Sequence, residues 1–564
     1  MYDYRNEHLV IAKFLINNNT KCFFLTIAHH SIDFHPSQKD IQFWFYIARS
    51  HFFIANCLKF KMHRTLTREG LSVYQGFGGL QDSTIDLSNF QSQLTKDRIS
   101  RTMTFQKINR PSIARFCKKI QIDITQKQLG EQTLFLNDNI LDEKLKNAKD
   151  NDDNEEIIGF LKNVIECSED KYKDTIDKYL NTDILVSKMI DCLQFIVEKM
   201  ETNKIPLMCQ LLNTMVALFP LSKKEIQEIY VDDGLCFLLM KLLDVNISPD
   251  LLLSSIGLIG VMSENDSYAR DALICNEIHF NLIELVSKTD NVEVINASCE
   301  ALSHVFENPE QIDFSILLDC FKSIASLLNI NSKDALQSIL VCIVDMTVQM
   351  PSLIFSIFEM NFHKRIVELL PDPELTAYVL RLIDNMSIAQ PSQINELLKC
   401  GLFSVLTELL MTEFTGDVFC VLSNLLESVP EMILNLINEE FIDNAIEIAM
   451  YSSIGVKKEA SYFLATAIIF SNEKQIEMLL KKDLFDVLFE MIDCDIVLII
   501  LRIIDSLVKI INLIKRENKF IDFYHSIMTE SNISKVYSLK ENKEQLVVEH
   551  VNFLISQYNI LNIK

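Results

Sequence analysis

Cys400-Gly401-Leu402-Phe403-Ser404-Val405-Leu406-Thr407-Glu408-Leu409-Leu410 is the stretch on which the fold turns, because it is not alone. Asp233-Gly234-Leu235-Cys236-Phe237-Leu238-Leu239-Met240-Lys241-Leu242-Leu243 has the same form, and so has the stretch from Lys482-Asp483-Leu484-Phe485 to Met491-Ile492. In each, a polar or glycine break opens a run with apolar residues at helical spacing. After each comes a second apolar helix, such as 376–388 or 416–426. Aligning those later helices puts Ala217, Val261, His304, Asp345, Asn385, Asn424, Thr466 and Ser506 at one equivalent position, with gaps of 44, 43, 41, 40, 39, 42 and 40 residues.

A period near 40 residues matches armadillo or HEAT units and excludes the shorter tetratricopeptide and ankyrin periods. A single unit of that size cannot bury its own apolar face. Units therefore stack into one continuous core. The predicted fold is all-α: a right-handed superhelical solenoid of about nine or ten armadillo repeats over residues 151–564. Composition agrees, since 12 Gly and 11 Pro in 564 residues leave too few turn formers for a sheet-rich chain.

Outside the array the style changes. Residues 1–61 hold the sole tryptophan, Trp44, and five of the eleven histidines, with no clean helical period; they read as a poorly structured extension. The apolar run 41–60 has the length of a membrane span but carries Arg49 and His51 near its centre, which argues against one. Residues 62–150 read as a flexible basic head. Gly76-Phe77-Gly78-Gly79 has no Lys-Ser/Thr after it and no apolar strand before it, so it is a linker and not a phosphate loop. Within the head, 94–127 concentrates Lys96, Arg98, Arg101, Lys107, Arg110, Arg115, Lys118, Lys119 and Lys127 against Asp97 and Asp123.

Charge divides the chain. Residues 1–150 carry 21 Lys/Arg and 14 Asp/Glu, a net of +7; the total of −24 then leaves −31 for residues 151–564. An acidic body repels nucleic acid and attracts basic segments of other proteins. The 14 cysteines form no C-x-x-C pair and no zinc-spaced cluster with histidine, so they read as small buried apolar residues. There is no G-x-S-x-G, H-E-x-x-H, Walker or Rossmann signature, and the histidines 279, 304, 363, 525 and 550 fall in different repeats. No enzyme, metal or cofactor is expected.

Several repeats in order resemble those of importin alpha, the cargo adaptor of nuclear import. Leu380-Arg381-Leu382-Ile383-Asp384-Asn385 with Pro391-Ser392-Gln393-Ile394 and Cys400-Gly401-Leu402 is similar to the family's sixth repeat. Val421-Leu422-Ser423-Asn424 resembles the next, and Val456-Lys457-Lys458-Glu459-Ala460-Ser461-Tyr462 resembles its "RKEAAW". The tail from Ile533-Ser534-Lys535-Val536 to Phe553-Leu554-Ile555-Ser556-Gln557-Tyr558 is similar to the short closing repeat.

That resemblance implies binding of basic nuclear localisation signals in the concave groove and of importin beta through the basic head, in cytoplasm and nucleus. It implies no nucleic-acid or membrane partner and a monomer apart from its partners. In the family a Trp and an Asn four residues apart share one face of the third helix. The Asn amide clamps peptide backbone and the Trp ring holds Lys stems. Here the Trp position holds Asn213, Gly257, Glu300, Val341, Arg381, Cys420, Tyr462 and Arg502, and the Asn remains at Asn385 and Asn424. The expected peptide site is therefore Asn385, Asn424, Arg381, Asp345, Asp384, Tyr462 and Glu300. The expected importin-beta site is Lys96, Arg98, Arg101, Lys107, Arg110, Arg115, Lys118 and Lys119. The alternative is an armadillo scaffold for cytoskeletal, signalling or chaperone partners with no transport role.

Overall fold

The computed structural model describes residues 155–168, 182–199, 202–232, 234–307, 314–480, 483–516 and 527–562, all within the compact unit Gln91–Lys564. The extension 1–61, the head 62–150 and its basic residues Lys96 to Lys119 lie outside the described residues.

Ten long helices form the spine of the array: α1 Glu155–Ser168, α2 Ile205–Leu218, α3 Pro249–Asn265, α4 Val292–Val305, α5 Lys333–Gln349, α6 Thr376–Met386, α7 Thr415–Ser428, α8 Ile454–Phe470, α9 Val497–Arg516 and α10 Gln545–Asn562. Each packs on the next along the whole series. Before α3, α4, α6, α7, α8 and α9 stand two shorter helices, for example Pro391–Lys399 and Leu402–Leu409 before α7. Three helices per unit mark armadillo repeats. The described residues contain no β-strand.

Local chemistry fixes the unit. Between the first and second helix the chain reverses through a left-handed residue. Gly234 (φ 80°) and Gly401 (φ 87°) supply it without a Cβ penalty, whereas Glu277 and Asn361, both at φ 60°, occupy the equivalent place. An L-residue there costs roughly 1–2 kcal/mol, least for Asn. The third helices α3 and α4 begin on polar caps: Ser248 accepts from the Leu251 N–H and Asn291 from those of Glu293 and Val294. Proline at the first turn of α3, of Pro391–Lys399 and of Pro430–Leu436 has no N–H to leave unsatisfied.

Burial explains why the spine helices look apolar all round. α8 is flanked by α7 and α9, and every residue from Ala460 to Ile468 is buried. Phe463 packs against Phe419 of the preceding unit at 5.6 Å between centroids and against Phe441 of its own at 5.8 Å. Each large aliphatic or aromatic side chain so buried stabilises the stack by roughly 1.5–3 kcal/mol. Of the cysteines, Cys192, Cys236, Cys299, Cys320 and Cys342 are buried as expected, while Cys275 is exposed. Burial pushes the Cys299 and Cys320 thiols up to about 12, so neither is reactive.

Thr466 and Ser506, aligned at the equivalent position of their spine helices, are both fully buried. Their hydroxyls donate to their own helix, Thr466 to the Tyr462 carbonyl and Ser506 to the Ile503 carbonyl, each at 2.7 Å. The reason is lateral packing. A spine helix has a neighbour on both sides, so this column, with Val261, His304 and Asp345, points into the seam between helices.

Candidate functional site

The column that leans outward is the one four residues earlier. Asn213, Gly257, Glu300, Val341, Arg381 and Cys420 are all partly exposed. At its far end the same column closes: Tyr462 and Arg502 are buried. Of the expected peptide-site residues, Glu300 on α4 and Arg381, Asp384 and Asn385 on α6 are partly exposed on the face formed by this column and its neighbours, here called the ladder face, whereas Asp345 on α5, Asn424 on α7 and Tyr462 on α8 are buried by the adjoining helices, against expectation.

Polar contacts cross five successive seams of this face. Asn385 Nδ2 donates to Thr347 Oγ1 at 2.9 Å and to the Val344 carbonyl at 3.4 Å, tying α6 to α5. Asn424 Nδ2 donates to Asp384 Oδ1, tying α7 to α6. Tyr462 Oη donates to Glu427 Oε1 at 2.9 Å, tying α8 to α7. Arg502 Nη2 donates to Tyr462 Oη at 2.8 Å and to Glu427 Oε1 at 2.7 Å, tying α9 to both. His550 Nδ1 lies 3.0 Å from Asp505 Oδ1, joining α10 to α9. Asn385 and Asn424 thus hold repeats together with the same amides expected to hold peptide. Asn385, partly exposed, still brings its Oδ1 acceptor to a peptide N–H, whereas Asn424 is closed in the seam.

The structure sorts the expected residues into three places. Arg381 stands in the fields of Asp384, Asp417 and Asp345. Burial pulls its guanidinium below arginine's ordinary value, and those carboxylates oppose the shift. Asp417 is raised by burial, with Arg381 pulling it back and Asp384 adding to the rise. By formal charge the carboxylates of Asp345, Asp384 and Asp417 outnumber the single guanidinium of Arg381. Tyr462 stands apart, in a closed triangle with Glu427 and Arg502. Glu300 stands apart as well, beside Gly257, Gly260, Ala297, Ala301 and His304 at a small cleft between α3 and α4.

Asp417, Glu427 and Thr347 escaped sequence reasoning. Asp417 and Glu427 lie seven residues before and three after Asn424, which places them on its helix face. Helical spacing could have found them. Thr347 could not be found that way, because its role depends on the neighbouring helix. Among the described residues no three His, Cys, Asp or Glu side chains converge to hold a metal, and no single helix is long and apolar enough to cross a membrane.

No protein-family model matches the chain, and no curated protein matches it by sequence. Solved structures do. An engineered protein determined by the Northeast Structural Genomics Consortium aligns with a TM-score of 0.60 at 15% identity, covering 75% of this chain and 99% of its own. A designed armadillo repeat protein in complex with the peptide (KR)4 aligns over 42% of this chain and 99% of its own, at 19% identity and a TM-score of 0.37. The three-helix unit repeated along the spine makes this chain an armadillo-repeat solenoid.

Proposed function

We propose that this chain is a protein-binding scaffold that takes an extended, Lys/Arg-rich segment of another protein along the ladder face between α4 and α7. The observation that carries this reading is the excess of carboxylates around Arg381, with Asp384 and Asp417 partly exposed beside it and Asp345 buried in the adjoining seam. A body carrying −31 outside its first 150 residues adds long-range attraction. Asn385 adds a partly exposed acceptor beside the cluster, and Asn424 holds Asp384 in place from the next repeat. Without tryptophan in this column each Lys or Arg of the segment forgoes a cation–π contact worth roughly 0.5–2 kcal/mol, so binding is weak and salt-sensitive.

A finer reading is favoured by the ordered resemblance of the repeats and by the basic segment 94–127. In it, the chain is a nuclear import adaptor of the importin-alpha kind. Cargo lies on the ladder face, importin beta binds Lys96, Arg98, Arg101, Lys107, Arg110, Arg115, Lys118 and Lys119, and the protein moves between cytoplasm and nucleus.

Titration of an eight-residue alternating Lys-Arg peptide at low salt tests the first reading. The expected outcome is binding that weakens with salt and loses roughly 1–3 kcal/mol in Asn385→Ala/Asn424→Ala. No binding, or binding indifferent to the double change, overturns it. A pull-down of importin beta with full-length protein and with 94–127 deleted tests the finer one: capture should vanish on deletion, and unchanged capture refutes the assignment.

A further inference from the structure

Tyr462, Glu427 and Arg502 form an arrangement suited to holding a cation. A cation is recognised by an aromatic face that attracts its charge and a carboxylate that accepts its N–H groups. Both are present here, one from α8 and one from α7, and both are taken. The Arg502 guanidinium carbon sits 5.0 Å from the Tyr462 ring centroid, and Nη2 reaches Glu427 and Tyr462 Oη at once. Only 9% of Arg502 is exposed. Burial works against its charge, yet Tyr462 and Glu427 outweigh burial and hold the guanidinium above its ordinary value.

We propose that Arg502 is a built-in occupant of a cation slot made by Tyr462 and Glu427, and that by filling it the chain ends its own peptide track at α7. Arg502 is thus a specificity-determining residue: it decides how many repeats a basic segment can engage. The inference deepens the proposed binding of Lys/Arg-rich segments and rests on that reading for its meaning, though the slot itself is testable without a peptide. Arg381 stands at the equivalent position three repeats earlier and does not close the face, since it remains partly exposed.

The experiment vacates the slot. In Arg502→Ala, millimolar guanidinium chloride should raise the thermal midpoint, because the small cation re-enters between Tyr462 and Glu427; wild type should not respond, nor should Arg502→Ala/Glu427→Ala. The alternating Lys-Arg octapeptide should bind Arg502→Ala about 2–30-fold more tightly than wild type, the range set by one added cation–π contact. Lys509→Ala, which removes the same charge from the same helix, should change affinity less and give no guanidinium response. If Arg502→Ala does not fold, Arg502→Val, the residue that Val341 already places in this column, empties the slot while keeping an apolar anchor, and should show the same gain in peptide affinity. A guanidinium response with no peptide binding to any variant sinks the peptide reading and leaves the slot standing. No guanidinium response and no gain over the Lys509→Ala control overturn the slot.

Discussion

Arg381 and Arg502 stand at the same place in their repeats, one turn before the seam column, yet they live in opposite surroundings. Around Arg502 the arrangement is closed: one carboxylate and one phenol, both from preceding repeats, take its donors at 2.7 and 2.8 Å. Around Arg381 it is open, with three carboxylates in its field and one of them, Asp384, already accepting from Asn424. An identical side chain at an identical register position is thus a structural bolt in one unit and part of a charged surface in another. Register says which way a residue leans, but the neighbouring helices decide what it meets.

The largest effect should come from breaking the closed arrangement. Glu427→Ala leaves the Arg502 charge buried without its anion and should cost about 3–5 kcal/mol. The corresponding change beside Arg381, Asp417→Asn, should cost less, because the Asp384 and Asp345 carboxylates remain in the Arg381 field. Hydrogen exchange of α7 to α9 is the measurement, since stability in a repeat array is local to adjacent units. Equal costs at the two sites would erase the distinction between bolt and surface.

A buried histidine supplies the next largest effect and separates the arginine clusters from other sources of pH dependence. His279, 1% exposed, finds no hydrogen-bond partner for either ring nitrogen among the described residues, and burial lowers its value to about 4. Because the folded-state value lies below the ordinary 6.5, the unfolded chain takes the proton first. Stability is therefore complete above about pH 6.5 and is lost as pH falls toward 4, by up to about 3 kcal/mol. In His279→Leu that acid slope should flatten; a slope left intact would move its origin elsewhere, to the carboxylates around Arg381 among others.

Smaller effects test the seams themselves. Asn385→Ala and Asn424→Ala should each destabilise by about 1 kcal/mol through loss of an inter-repeat hydrogen bond, peptide or no peptide. Thermal unfolding without ligand checks it, and no change would mean the amides serve binding alone. Smallest is Gly257, at the position of Arg381 and Arg502 but with nothing within 4 Å of a Cβ added there. Gly257→Ala should stabilise α3 by about 0.5–1 kcal/mol, by removing the entropy cost of glycine in a helix. A loss of stability would show that the cleft beside Glu300 is not open.

Much of the fold was legible in the chain because it is written in spacing. The reversal before each second helix shows as Gly234 and Gly401, and the 40-residue period shows in the apolar pattern. The turns at Glu277 and Asn361 were harder to see, since an ordinary residue there does the work of glycine under the constraint of helices already packed on both sides.

What the sequence determined by itself is the repeat, its length, its all-helical character, the acidity of the body, and the two columns four residues apart on the spine helices. These are properties of one unit, set by backbone preference and apolar period within about 40 residues. What only the tertiary structure decided is which column faces out. The seam column that held the expected Asn positions turned out largely buried, and Thr466 and Ser506 closed on their own helices. It also decided that Arg502 reaches Glu427 across 75 residues of chain. Partners of that kind come from helix-on-helix packing between units, and no spacing within a unit encodes where the next unit's side chains will fall.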